Sequence, residues 1–366
     1  MPALSLLIKP SSYYCNLQCT YCFYRHLAEE RKAQTTFMTL DDMELLVEKA
    51  LDFATGQCVF AFQGGEPTLI GLDFFESVTK MQRKYNKNRC VITNTIQTNG
   101  MLLDKEWASF LKRENFLVGL SIDGVKDFHD QFRPCADGQH SSYGASMTAA
   151  KLLQDFEVPF SVLCVVTNPL ARHPKQVYES FRRASFQNMQ FIPCITPTQT
   201  AQIFTLSNQR YASFLRGILD LWYRDFLQGN RIYIRLFDNL LDMLSGLPPE
   251  ACDLCGRCSC QFVVESNLDV YPCDFYCSDA WRIGNIRTHS FEQMRFCQRA
   301  EEFIQRSAEL HPDCKECQLL PLCRGGCMRH RVGVNAHTPD KYFFCEAMRD
   351  FVPYAVPKLY DILRRR

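Results

Sequence analysis

Cys15-Asn16-Leu17-Gln18-Cys19-Thr20-Tyr21-Cys22 places three thiols on one short loop, close behind the apolar run Leu4 to Ile8. Three thiolates suit a cube of four irons and leave one iron without a protein ligand. A fully ligated cluster relays electrons, whereas an open iron corner lets a small molecule chelate the metal and receive an electron directly. Zinc is the competing reading of C-x3-C-x2-C. Zinc sites usually complete four protein ligands, however, and no fourth is obvious nearby.

The rest of the composition narrows the setting. At 366 residues the chain exceeds the usual size of one core, so a large domain with a smaller module is expected. A formal net charge of +1 supplies no broad field for nucleic acid. No apolar run reaches the roughly 20 residues that span a bilayer, and Met1-Pro2-Ala3-Leu4 lacks the basic segment of a secretory signal. The expectation is a cytoplasmic protein with no membrane and no nucleic-acid partner. Twenty cysteines in a chain with ample apolar residues read as metal ligation rather than as a disulfide scaffold. Three lie in the first loop, eleven group between Cys252 and Cys345, and Cys58, Cys90, Cys135, Cys164, Cys194 and Cys297 stand alone as small apolar packers.

From the start to about residue 235, short β-prone runs alternate with amphipathic stretches. The strands read as Leu4 to Ile8, Val59 to Phe62, Val91 to Ile96, Leu117 to Ser121, Phe160 to Val166 and Met189 to Ile192, with a further one at Ile232 to Ile234. Thr39 reads as the cap of a helix carrying Leu45, Leu46, Ala50 and Phe53. A second helix spans Tyr211 to Gln228, its Phe214, Leu215, Ile218, Leu221, Trp222 and Phe226 forming core, and a third spans Tyr354 to Arg366. Alternation of this kind implies an α/β fold with right-handed crossovers and a parallel sheet curled into part of a barrel. Gln63-Gly64-Gly65-Glu66-Pro67, Gln97-Thr98-Asn99-Gly100, Ser121-Ile122-Asp123-Gly124 and Thr167-Asn168 all follow strand ends, so they share one rim with the Cys15 loop.

The cysteine loop, with an aromatic before its last cysteine, resembles that of the radical S-adenosylmethionine (SAM) enzymes, and Gly64-Gly65-Glu66-Pro67 is similar to their G-G-E-P motif. The resemblance implies a SAM-binding [4Fe-4S] cluster on Cys15, Cys19 and Cys22, and a partial (β/α)6 TIM-like barrel over residues 1–238. Glycine permits a close backbone approach to the SAM amino group, while Tyr21 and Tyr24 are candidates to stack near the adenosyl group. Farther on, Cys252-x5-Cys258, Tyr271-Pro272-Cys273-Asp274, Cys314-x2-Cys317-x5-Cys323-x3-Cys327 and Cys345 resemble a SPASM module, placed at 239–366. Such a module carries two auxiliary [4Fe-4S] clusters, and the family's interleaving assigns Cys252, Cys258, Cys273 and Cys327 to one and Cys314, Cys317, Cys323 and Cys345 to the other. Cys255, Cys260 and Cys277 are left over.

Longer stretches resemble the anaerobic sulfatase-maturating enzymes: Leu4 to Pro10, Ala61 to Thr68, Gln97 to Gly100, Ala171-Arg172-His173, Cys260 to Ser266 and Tyr271 to Tyr276. By motif position this family's SAM contacts fall on Tyr21, Gly65, Ser121, Arg133 and Ile195, and its proton acceptor on Asp274. The implied reaction oxidises a peptidyl cysteine or serine of a sulfatase polypeptide to Cα-formylglycine. A 5'-deoxyadenosyl radical removes a Cβ hydrogen, Asp274 takes a proton and an auxiliary cluster takes an electron, with a reduced flavodoxin- or ferredoxin-type donor supplying the reductant. Asn267-Leu268-Asp269 departs from the family's Asp-Gly turn. Two rivals stand beside this reading: a SPASM maturase that forms a thioether or carbon crosslink in a ribosomal peptide, and a non-enzymatic zinc-binding module. The peptide maturases often carry a peptide-binding domain before the barrel, whereas here the first strand begins at about Leu4.

Overall fold

The computed structural model describes residues 3–24, 36–136, 138, 140–195, 204–331 and 340–365. Its contacts divide the chain into two compact units assembled from separated stretches: Met1–Ser121, Arg133–Phe160 and Ser259–Phe303 form the first, and Ile122–Phe132, Ser161–Cys258 and Ile304–Arg366 the second. The stretch 259–303 therefore packs with the N-terminal part of the chain.

In the first unit β1 (Leu4–Ile8), β2 (Gln57–Phe62), β3 (Val91–Thr98) and β4 (Leu117–Ser121) lie side by side in sequence order, all parallel. Helices α1 (Leu40–Phe53), α2 (Leu72–Tyr85) and α3 (Lys105–Arg113) connect them, and α4 (Ser142–Asp155) follows. Parallel neighbours need such crossovers, because a strand must be carried back to its starting edge. Thr39 caps α1 as expected, its hydroxyl accepting from the Asp42 amide at 3.1 Å. Leu4, Leu6 and Ile8 of β1 are buried, as are Phe60 and Phe62 of β2, so the sheet has an apolar face that these helices cover.

The second unit holds β5 (Phe160–Val166), β6 (Asn188–Pro193) and β7 (Tyr233–Ile234), again parallel, with α5 (Pro174–Arg183), α6 (Asn208–Leu227) and α7 (Arg235–Leu244). All six strands read from the sequence are present, and β7 confirms the further one. In α6, Phe214, Leu215, Ile218 and Trp222 are buried core, while Leu221 and Phe226 are half-buried. The last helix, α8 (Cys345–Arg365), begins nine residues before the expected Tyr354. Pro353 and Pro357 lie inside it, and proline is ordinarily the mark of a helix boundary.

The cysteine-rich region adds three short strands that its spacing did not reveal. β8 (Val263–Val264) runs parallel to β1, pairing Leu7 with Val263 and Ile8 with Val264; β9 (Asp269–Tyr271) and β10 (Gly284–Asn285) continue antiparallel. Between β8 and β9 the turn places Leu268 at φ 67°, the left-handed region that the family's glycine would occupy at no cost. The leucine is wholly buried, which offsets the strain.

The loop after β1 is tied to the one after β2 through backbone bonds: the Gly65 amide donates to Ser12 O at 2.8 Å and the Glu66 amide to Tyr14 O at 2.7 Å. A Cβ at Gly65 would lie 2.0 Å from the Tyr14 carbonyl oxygen. Glycine at this position is thus dictated already by the cysteine loop packed upon it. Gly65→Ala is expected to destabilise the chain by roughly 1–3 kcal/mol or more, as overpacking does. Gly144→Ala in α4 meets nothing nearer than 3.7 Å and is expected to be neutral or stabilising. Denaturant midpoints of the two variants check the contrast, and equal midpoints would refute it.

Candidate active site and iron-sulfur ligands

The Cys15 loop is held from several sides within the first unit. Leu17 forms an isolated antiparallel bridge with Cys135, and the Gln18 amide donates to Pro134 O at 2.8 Å. Asn99 at the end of β3 reaches the loop through its side-chain amide, which donates to Asn16 Oδ1 at 2.7 Å and points a longer contact of 3.8 Å at Cys15 Sγ. Arg133 directs a guanidinium N–H toward Cys19 Sγ at 3.9 Å and lies over the Tyr21 ring at 5.5 Å. It is only 8 % exposed, so it is not the solvated arginine that a loop position ordinarily implies. Cys15 is exposed, Cys22 half-buried and Cys19 buried.

Glu66 of the G-G-E-P turn has a structural part that motif reading left unassigned. Its buried carboxylate accepts from the Thr68 amide and hydroxyl, the Thr98 hydroxyl and the Asn99 amide, at 2.7 to 3.1 Å. Burial raises its pKa, and these donors oppose the rise. Glu66 therefore clamps the loops after β2 and β3 together. Ser121, buried at the end of β4, accepts from Gln97 Nε2 at 3.0 Å, and Ile195 is half-buried just beyond β6. Tyr21, Gly65, Ser121 and Arg133 belong to the first unit, and Ile195 to the second.

Asp274 is 5 % exposed and lies at the end of the β9 segment. Its Oδ1 is 2.9 Å from Lys9 Nζ, while Oδ2 accepts from the Tyr24 hydroxyl at 2.5 Å and from Gln63 Nε2 at 3.2 Å. Tyr24 thus holds Asp274 through its hydroxyl. Lys9 also pairs with Glu265 at 2.9 Å and donates to Cys277 Sγ at 3.3 Å. Burial alone would lower the Lys9 pKa, but Asp274 and then Glu265 outweigh it and hold the ammonium well above the ordinary lysine value. Burial raises the Tyr24 phenol, and Asp274 adds to the rise. The Asp274 carboxylate thus accepts two hydrogen bonds on one oxygen and faces an ammonium at the other.

In the second unit, Cys314, Cys317, Cys323 and Cys345 line one cavity with Leu319, Leu320, Tyr342, Met348 and Arg349. Burial pushes the Cys323 thiol up to about 11, with Cys345, Cys314 and Cys317 adding to the rise. Burial likewise pushes Cys327 up to about 11, with Cys252 and Cys258 contributing. Cys252, Cys258 and Cys327 belong to the second unit and Cys273 to the first. A thiol-lined cavity with apolar walls suits an iron-sulfur cluster, which takes four thiolates. Among the described residues, no three His, Cys, Asp or Glu side chains converge closely enough to hold a single metal ion. Of the leftover thiols, Cys255 is exposed, Cys260 is pushed up to about 11 by burial with Cys297 adding to it, and Cys277 is turned inward onto Lys9. Cys58, Cys90, Cys135, Cys164 and Cys194 are buried, and Cys297 is half-buried.

Among the described residues no helix is long and apolar enough to cross a membrane. Residues 10–178 match the Radical SAM superfamily and residues 252–318 the SPASM iron-sulfur cluster-binding domain. A cysteine-type anaerobic sulfatase-maturating enzyme of Clostridium perfringens is 43% identical over 99% of both chains. A serine-type enzyme of Bacteroides thetaiotaomicron is 29% identical over 99% of this chain and 91% of its own. The solved structure "Native anSMEcpe with bound AdoMet and Cp18Cys peptide" superposes with a TM-score of 0.95 at 42% identity, covering 100% of this chain and 99% of the other. This chain belongs to the anaerobic sulfatase-maturating enzymes, radical SAM proteins with a SPASM iron-sulfur domain.

Proposed function

We propose that this enzyme oxidises a peptidyl cysteine of a sulfatase to Cα-formylglycine, with Asp274 as the proton acceptor. The observation that carries the reading is a buried carboxylate next to Cys273, held by Lys9, Tyr24 and Gln63, in a chain similar along its length to cysteine-type enzymes. Cysteine is preferred over serine because the serine-type relatives are less similar, at 29% identity against 43%.

In this reading residues 1–238 make the radical SAM domain and 239–366 the auxiliary-cluster domain. Cys15, Cys19 and Cys22 hold the SAM-binding cluster. Tyr21, Gly65, Ser121, Arg133 and Ile195 contact SAM. Cys252, Cys258, Cys273 and Cys327 hold one auxiliary cluster, and Cys314, Cys317, Cys323 and Cys345 the other. When bound, these groups supply a 5'-deoxyadenosyl radical for Cβ hydrogen abstraction and an acceptor for the second electron. The protein's own part is to orient the peptide thiol toward Asp274 and to receive its proton at a carboxylate oxygen. Arg133 shields the loop around Cys19, and the Glu66 clamp keeps the G-G-E-P backbone where SAM would meet it. A reduced flavodoxin- or ferredoxin-type protein supplies electrons, and the cytoplasm is the compartment in which free thiols and such donors coexist.

Anaerobic incubation with a sulfatase-motif peptide carrying cysteine is expected to yield the aldehyde, read by mass and by hydrazide capture. Turnover of the serine peptide alone would overturn the cysteine preference, and a crosslinked product would overturn the reaction. Asp274→Asn is expected to lower formylglycine formation by about 10²- to 10⁴-fold, the span of a lost general base, while clusters and SAM cleavage persist. Undiminished product would reject the role of Asp274. Replacing Cys15, Cys19 and Cys22 with Ala is expected to abolish reductive SAM cleavage, and surviving 5'-deoxyadenosine release would show that the cluster is held elsewhere.

A further inference from the structure

We infer that Lys9 is a positioning residue for the oxidation: its buried ammonium fixes the carboxylate of Asp274 in the orientation that receives the substrate proton. The inference rests on the reading of Asp274 as acceptor and deepens it.

The side chain of Lys9 is wholly buried; its ammonium donates to Glu265 Oε1 at 2.9 Å and to Cys277 Sγ at 3.3 Å, and forms an ion pair with Asp274 Oδ1 at 2.9 Å. Two aromatic rings complete the surroundings, with Nζ 4.9 Å from the centre of Tyr24 and 5.2 Å from that of Tyr13. The backbone is fixed as well, since the Lys9 amide donates to Val264 O at 2.9 Å and Lys9 O accepts from the Ser12 amide at 3.1 Å. Gly64 leaves room for the stem: a Cβ there would come within 3.2 Å of Lys9 Cβ and Cγ.

This arrangement determines what Asp274 can do. Tyr24 and Gln63 both bind Oδ2, so Lys9 alone of the three holds Oδ1 and sets the plane of the carboxylate. A substrate thiol that displaces one Oδ2 donor still finds the group anchored at its other oxygen. Without the ammonium, Asp274 and Glu265 would face each other as buried anions, and the Asp274 side chain would be free to turn away. Lys9 makes no contact that the radical step requires, so its loss should separate hydrogen abstraction from product formation.

The test uses the anaerobically reconstituted full chain. Lys9→Met alone strands a buried carboxylate and risks the fold, so the charge-balanced pair Lys9→Met with Glu265→Gln is made, and Glu265→Gln is measured beside it. Iron per chain, peptide KM and the ratio of formylglycine to 5'-deoxyadenosine are read. The expected result is iron and peptide KM within twofold of wild type, with the product ratio at least tenfold lower in the pair than in Glu265→Gln. A ratio within twofold of wild type overturns the inference, as does an equal fall in Glu265→Gln alone, which assigns the effect to Glu265. Loss of iron or of the folded state in the charge-balanced pair also overturns it, because it makes the lysine structural. Wild-type enzyme that makes no formylglycine would instead sink the reading of the reaction, independently of Lys9.

Discussion

One buried ammonium joins parts of the chain that the sequence sets far apart. Lys9 follows β1, Glu265 follows β8, and Asp274 follows β9; the Lys9–Glu265 pair alone spans 256 residues. The register explains why they meet. Because Ile8 pairs with Val264 in parallel, the next residues on each strand, Lys9 and Glu265, emerge side by side at the same end of the sheet. The turn through Leu268 then reverses the chain, β9 runs back alongside β8, and the segment that follows it sets Asp274 Oδ1 2.9 Å from Lys9 Nζ. Breaking such a buried pair on one side typically costs about 3–5 kcal/mol, because the surviving charge has no partner. The β8–β9 hairpin is therefore held to β1 by electrostatics as well as by its few ladder bonds.

Among the buried carboxylates of this unit, Glu66 and Asp274 have different partners, and the difference suits different work. Glu66 is surrounded by neutral donors from backbone amides and threonine hydroxyls, all belonging to two adjacent loops. Such a group is a clamp, with two of its bonds ending on backbone amides and two on short hydroxyl side chains. Asp274 instead meets a cation on one oxygen and two mobile side-chain donors, Tyr24 and Gln63, on the other. Side-chain donors can swing aside for an incoming group at little backbone cost, whereas amides cannot. The contrast fits the proposed assignment of Asp274 to proton transfer and of Glu66 to architecture.

What the sequence made legible follows the reach of local signals. The alternation of apolar runs gave the six parallel strands and the Thr39 cap, because period and capping are written in consecutive residues. The cysteine loop, the G-G-E-P turn and Asp274 were legible through motif resemblance. Lys9, Glu265 and Glu66 lay inside quoted motifs and were passed over, since nothing in a linear reading distinguishes a buried lysine from a solvated one. The bond from Tyr24 to Asp274 was beyond a linear reading because the two lie 250 residues apart. β8, β9 and β10 escaped because strands of two or three residues carry too little periodicity to register, and the early turns of α8 were hidden behind Pro353.

The surplus thiols illustrate how burial sorts residues that spacing cannot. Cys255, Cys258 and Cys260 lie within six residues, so a count of intervals allows any of them as a ligand. Their neighbours differ in part: Cys252 and Cys258 lie near Cys327, Cys255 lies near Cys252 and Cys258, and Cys260 has Cys297 beside it. Cys277 differs again, being wholly buried and pushed up to about 12 by burial, with Lys9 pulling against the rise. Its sulfur accepts from the ammonium beside the two carboxylates, a place that a thiol can fill as a small and weakly polar group without adding a third charge. Two full carboxylates already balance and exceed the single positive charge. A neutral thiol in this place adds no further anion to the network.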